Sequence, residues 1–97
     1  MQIPEEMAIN RVYPNPFNAS INIEYHMDQF AQGRIVVYDI QGKMIMDQGL
    51  HNRAPGTYIW TWNGADKTGQ NMPSGAYFVQ LIQGEARSET RKIVLIK

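Results

Sequence analysis

No stretch of this chain repeats its apolar residues at helical spacing between recognisable caps, and that absence constrains the fold more than any other feature. In its place are short runs of β-branched and aromatic residues, cut at intervals by Gly, Pro and Asn. Residues 9–13 read as a first strand, closed by Pro14-Asn-Pro16, whose prolines remove donors and force an extended turn. Residues 20–25 alternate, with Ile21, Ile23 and Tyr25 on one face and Asn22 and Glu24 on the other. Residues 34–39 place Ile35 and Val37 together, and Gln41-Gly42 reads as a hairpin turn into a return strand over 43–48, where Met44 and Met46 share a face. Pro55-Gly56 precedes a strand over 57–62 that aligns Tyr58, Trp60 and Trp62. A polar loop over 63–71 and Pro73-Ser-Gly75 lead into 76–82, with Tyr77, Val79 and Leu81 on one side; Gly84-Glu85 then turns the chain into a last strand over 86–96.

Seven strands separated by regular turn signals predict an all-β, immunoglobulin-like sandwich of antiparallel strands, with a barrel as the alternative. Its expected core is Ile21, Ile23, Ile35, Val37, Trp62, Tyr77, Val79 and Leu81. Ninety-seven residues suffice for one domain; residues 1–8 read as an N-terminal linker and 9–97 as the domain. No internal repeat or low-complexity tract is evident.

Nine basic and nine acidic residues cancel, leaving no field to draw in nucleic acid or an anionic membrane. No apolar run approaches the roughly 20 residues of a membrane span. Without cysteine there is no disulfide, thiolate metal site or cysteine nucleophile. The first residues lack the basic and apolar regions of a signal peptide, so export would need an upstream segment.

The candidate chemistry is thin. His26 and His51 end different strands without a carboxylate at ligand spacing, so a metal site is not expected. The loop over 63–71 carries side-chain oxygens, but Asp66 is its only carboxylate; calcium takes about six to eight oxygen ligands, and turn-forming Asx bonds explain the same residues. Ser74 lies in Pro-Ser-Gly-Ala rather than a nucleophile elbow, and no carboxylate dyad or phosphate cradle is present. No catalytic residue and no cofactor are expected. The row Tyr58, Trp60, Trp62 fits a sugar platform only if it faces solvent; as the inner face of a strand it is core. Asn18-Ala-Ser20 matches a glycosylation sequon by accident of composition.

Tyr13-Pro-Asn-Pro-Phe-Asn18, Ser20-Ile-Asn-Ile and Val37-Tyr-Asp-Ile-Gln-Gly42 resemble the opening of type IX secretion system type A C-terminal sorting domains. The resemblance continues through Trp62-Asn-Gly-Ala-Asp66, Gly69, Pro73-Ser-Gly-Ala-Tyr77 and Lys92-Ile-Val-Leu-Ile-Lys97, in order over nearly the whole chain. Ala19 stands where proline is frequent, and Ala76 where a branched residue is frequent. The tryptophan and Pro-Ser-Gly blocks are also similar to the immunoglobulin-like domain of flagellar hook-capping proteins. The first resemblance implies a monomeric, non-catalytic module at the C-terminus of an exported protein, with Lys97 ending the family's terminal strand. It implies passage through the periplasm to the cell surface or medium. The outer-membrane translocon would read the module, a sortase-type protease would remove it, and an N-terminal cargo domain would be released or attached. Arg91, Lys92, Ile93, Val94, Leu95, Ile96 and Lys97 would form the recognition element, offered as a free strand edge with basic charges. A carbohydrate- or calcium-binding module and a structural assembly domain of the hook-cap kind are the rival readings.

Overall fold

The computed structural model describes residues 7–28 and 31–97; of residues 31, 52 and 53 only the backbone is described. The expected linker lies almost wholly outside the described residues. Among the described residues eight strands are present: β1 (Ala8–Tyr13), β2 (Ile21–Met27), β3 (Ala31–Tyr38), β4 (Met44–Arg53), β5 (Gly56–Trp62), β6 (Gly75–Gln83), β7 (Ala86–Arg87) and β8 (Arg91–Leu95). One sheet runs β1-β2-β5, the other β4-β3-β6 with β7 and β8 both paired to the far side of β6. Every strand pair is antiparallel. The result is an immunoglobulin-like sandwich, the architecture expected from the alternation.

All eight residues expected in the core are buried, joined by Ile9, Phe17, Tyr25, Met27, Ile45, Leu50, Ile93 and Leu95. Two departures from the expected strands have one cause. The residues read as a single last strand are interrupted: Ile82 pairs with Arg87 but Val79 with Arg91, so the strand carries one more residue than its partner. Ser88 fills the gap, its backbone N–H donating to the Leu81 carbonyl while its Oγ accepts from the Leu81 amide, at 2.8 and 2.9 Å. In β4, Val37 pairs with Met46 and Tyr38 with Met44, leaving Ile45 as the extra residue, and Ile45 enters the core. One inserted residue switches side chains between faces, which alternation alone does not reveal.

The two turns Asp39-Ile-Gln-Gly-Lys43 and Asp66-Lys-Thr-Gly-Gln70 share one bonding scheme. In each, the aspartate amide donates to the carbonyl four residues on and the glycine amide donates back to the aspartate carbonyl. The aspartate Oδ1 accepts the backbone N–H groups two and four residues on, all at 2.9–3.0 Å. Gly42 and Gly69 hold φ of 83° and 90°, the left-handed region that glycine enters without a Cβ penalty. The chain thus contains a repeated turn where no repeat was expected. Its signal in the sequence is Asp-x-x-Gly.

Candidate functional site

The family-like blocks, far apart in sequence, converge at one end of the sandwich. Trp62 closes β5 and is buried, with its indole N–H donating to the Ala65 carbonyl at 2.8 Å. Phe17 lies tilted against it at 5.8 Å between ring centroids, and Tyr77 meets it edge-on at 5.7 Å. Tyr77, near the start of β6, donates its hydroxyl hydrogen to the Pro73 carbonyl four residues back at 2.5 Å, a corner of the kind that pins sandwich strands. Burial and the nearby Asp39 charge raise its pKa above the ordinary 10.0. Gly64 holds φ of 78°, and a Cβ added there would be in van der Waals contact with Leu95 Cδ2 at 3.4 Å.

Phe17 belongs to a strap, residues 14–18, that lies along the outer edge of β8 and makes a parallel bridge from Phe17 to Leu95. Both the Tyr13–Pro14 and Asn15–Pro16 bonds are cis. Prolines have no N–H, and the strap bonds instead through Phe17's backbone and two asparagine side chains. Phe17 donates its N–H to Val94 and accepts from Ile96, both at 2.8 Å. Asn15 donates to the Lys92 carbonyl and accepts the Val94 N–H, at 3.2 and 3.0 Å; Asn18 donates to the Ile96 carbonyl at 3.0 Å. The free edge expected at the last strand is therefore already occupied, by a segment whose prolines leave little to template another strand.

The seven residues expected as a recognition element divide by position. Ile93 and Leu95 are core, Arg91 and Val94 half-buried, and Lys92, Ile96 and Lys97 exposed. Arg91 reaches across to the other sheet, its Nη1 donating to the carbonyls of Ile9 at 2.9 Å and Asn10 at 3.3 Å; it clasps β8 to β1. The Lys97 amide donates to Ser74 Oγ at 2.9 Å, which gives that serine a structural use.

The remaining candidates resolve into turns and packing. Asp66 accepts the Thr68 hydroxyl hydrogen at 2.7 Å in addition to its backbone donors. That side-chain bond chiefly holds its pKa below the ordinary 3.8, with desolvation opposing it and backbone amides assisting. His26 Nδ1 lies 3.2 Å from Thr57 Oγ1, and His51 is exposed. Among the described residues no three His, Asp or Glu side chains converge as metal ligands. Trp60 and Tyr58 are half-buried against the core beside buried Trp62, so the aromatic row faces inward along a sheet-edge strand.

Sequence reasoning missed the strap, the clasp and the tyrosine corner. The strap's only local signal is asparagine beside each proline; its partner strand lies 77 and 78 residues away at the two asparagine bonds, and Arg91's partner Ile9 lies 82 residues away.

The sequence model of the secretion system C-terminal sorting domain family matches residues 11–97. No curated protein sequence matches the chain. Among solved structures, the chain is similar to dimeric latent PorU from Porphyromonas gingivalis, with TM-score 0.79 and 14% identity over 89% of this chain and 9% of that one. It is similar to FlgD from Xanthomonas campestris, a protein of flagellar hook capping, with TM-score 0.66, 18% identity, and 91% and 66% coverage. FlgD from P. aeruginosa gives TM-score 0.64, 18% identity, and 89% and 72% coverage. At these identities the likeness is one of fold, and the chain spans less than a tenth of PorU's length.

Proposed function

Because this chain belongs to the secretion system C-terminal sorting domain family, we propose that it is a non-catalytic address module of the type IX pathway, carried by a larger exported protein. The observation that bears the reading is the family match itself, which runs unbroken from β1 through the last strand. The position of the matching blocks supports it: they assemble one end of the sandwich around β8 rather than a cleft with converging reactive groups. The hydroxyl and carboxylate groups that chemistry could recruit there, Asp39, Asp66, Ser74 and Tyr77, are engaged in turns and corners.

On this reading residues 9–97 form the module and the first eight connect it to an N-terminal cargo. The carrier crosses the periplasm, the outer-membrane translocon reads the module as a monomer, and a sortase-type protease removes it at the surface. The stretch from Arg91 to Lys97 serves in two ways. Arg91, Ile93 and Leu95 hold β8 in place, while Lys92, Val94, Ile96 and Lys97 present side chains outward.

The test is a fusion of this chain behind a protein already delivered to the periplasm, in a host carrying the type IX machinery. The fusion is expected in the medium or on the surface. Lys92→Glu with Lys97→Glu alters only exposed positions, where substitutions change stability by less than about 0.5 kcal/mol. That variant is expected to melt like the parent and remain periplasmic. Retention of the unaltered fusion in the periplasm of a competent host would overturn the sorting reading.

A further inference from the structure

The two outer faces of the sandwich differ in chemistry. On the β1-β2-β5 sheet the outward residues satisfy one another: Arg11 donates to Glu24 at 3.2 Å and lies 4.4 Å over the Tyr13 ring, and Thr61 donates to Asn22 at 2.7 Å. Among the described residues, Ile59 is the one large exposed aliphatic residue there.

The other sheet is apolar on its outside at the β8 end. Val37, Val79, Tyr77, Ile93 and Leu95 point into the core, so strand alternation turns Tyr38, Phe78, Ala76, Val94 and Ile96 outward. The register makes them neighbours: Tyr38 pairs with Phe78, and Ala76 with Val94. Ile40, 76% exposed at the tip of the β3–β4 turn, borders a groove along residues 72–77 that continues this surface. Ile96 is 52% exposed, so two of the three large exposed aliphatic residues among those described lie at this one end.

The rim is basic. Lys92 faces outward opposite Phe78, and Lys43 and Lys97 are exposed at the ends of the flanking elements. Among the described residues that line the groove there is one carboxylate, Asp39, whose Oδ1 accepts the Gln41 and Lys43 amides. An apolar centre with a predominantly basic rim has the anatomy of a protein-binding patch. It calls for a partner with apolar side chains ringed by carboxylates.

Since the strap already occupies the edge of β8, we infer that the sorting machinery reads this module face-on, through the patch of Tyr38, Ile40, Ala76, Phe78, Val94 and Ile96, with an apolar, acidic-rimmed receptor surface. The inference rests on the sorting reading and adds where and by what chemistry recognition occurs. Side chains from three strands, a turn and the residue following β8 compose the patch, so the receptor reads the folded domain rather than a linear tail.

The experiment uses the same fusion with three variants, each melted alongside the parent. Ile40→Asp with Ile96→Asp places charge at the two most exposed patch positions; Ile59→Asp places it on the opposite face. Ile40→Ser is a gentler variant, at a turn position that accepts polar residues. The paired aspartates are expected to lower the secreted fraction by about tenfold or more, as loss of a central contact does, with Ile40→Ser intermediate and Ile59→Asp unchanged. Secretion of both patch variants at the parental level, while the parent is secreted, overturns face-on recognition and leaves the sorting reading standing. Failure of the parent fusion defeats the sorting reading itself. If the paired aspartates unfold the domain, Ile40→Ser decides alone. A further control is sedimentation of the parent near 100 µM, a concentration of about the order at which weak contacts fill. A dimer lost on substitution, with secretion kept, would make the patch a self-association surface and overturn the inference.

Discussion

Replacing Phe17 by alanine tests whether the strap is part of the domain's core or a loop resting on its surface. The side chain is 2% exposed, tilted against Trp62 and within reach of Leu95 and Gly64. Truncating a buried phenylalanine costs about 3–5 kcal/mol, part transfer and part cavity. The upper half applies here, because the aromatic pair with Trp62 is worth about 0.5–1.5 kcal/mol beyond buried area. A domain of this size has a total stability on the order of 5–15 kcal/mol, so the variant should be close to half unfolded or badly weakened. Each kcal/mol lowers the melting temperature of such a domain by about 4–8 °C, which predicts a fall of some tens of degrees. Urea titration of parent, Phe17→Leu and Phe17→Ala gives the quantity directly, and Phe17→Leu should retain most of the loss-free volume. Hydrogen exchange adds a local reading: in Phe17→Ala the amides of Val94 and Ile96, which donate to the strap, should lose protection before their neighbours. A Phe17→Ala variant within about 1 kcal/mol of the parent, with Val94 and Ile96 still protected, would refute the claim that the strap is integral to the core.

Tyr77→Phe deletes the hydroxyl bond to Pro73 and should cost about 1 kcal/mol in urea, a typical net value for one hydrogen bond; an unchanged midpoint would remove the corner from the stabilising contacts. Gly64→Ala imposes a Cβ at φ 78° close to Leu95 and should cost about 1–2 kcal/mol, read from the same titration. The stabilisation that Asp66 supplies at neutral pH should change on the acid side only. Because its folded pKa lies below the ordinary 3.8, its contribution is complete above that value and fades as pH falls through the lowered one. Acid unfolding of Asp66→Ala should therefore lack a component that the parent loses below 3.8, and parallel acid curves would disprove the assignment.

The fold was legible because its strands alternate: Ile21 and Ile23, Ile35 and Val37, Tyr77, Val79 and Leu81 announce one buried face each, and a sandwich is what such faces pack into. Where alternation slips, legibility fails. Ile45 reaches the core only because β4 carries an extra residue opposite the Val37–Tyr38 step, and Ser88 breaks the last strand for the same reason. Phe17 sits between proline and asparagine in what reads locally as a turn; only the distant β8 makes it core. Arg91 reads as an exposed charge until β1 supplies its two carbonyls. Of the stretch 91–97, Lys92 and Lys97 are exposed as charged residues read locally, whereas Ile93 and Leu95 needed the sandwich to show them as packing residues.

The strap and β8 run parallel, and their five hydrogen bonds cross between them. Tension applied upstream of β1 and downstream of β8 would slide these two segments past each other along their length. All five bonds would then carry load together, in shear, instead of opening one after another from an end. Arg91 separately ties β8 to β1 in the opposite sheet. Thermal stability and mechanical strength thus part company in this domain: resistance to pulling is concentrated in one short seam, and the force needed follows the barrier to rupturing it rather than the equilibrium free energy of unfolding.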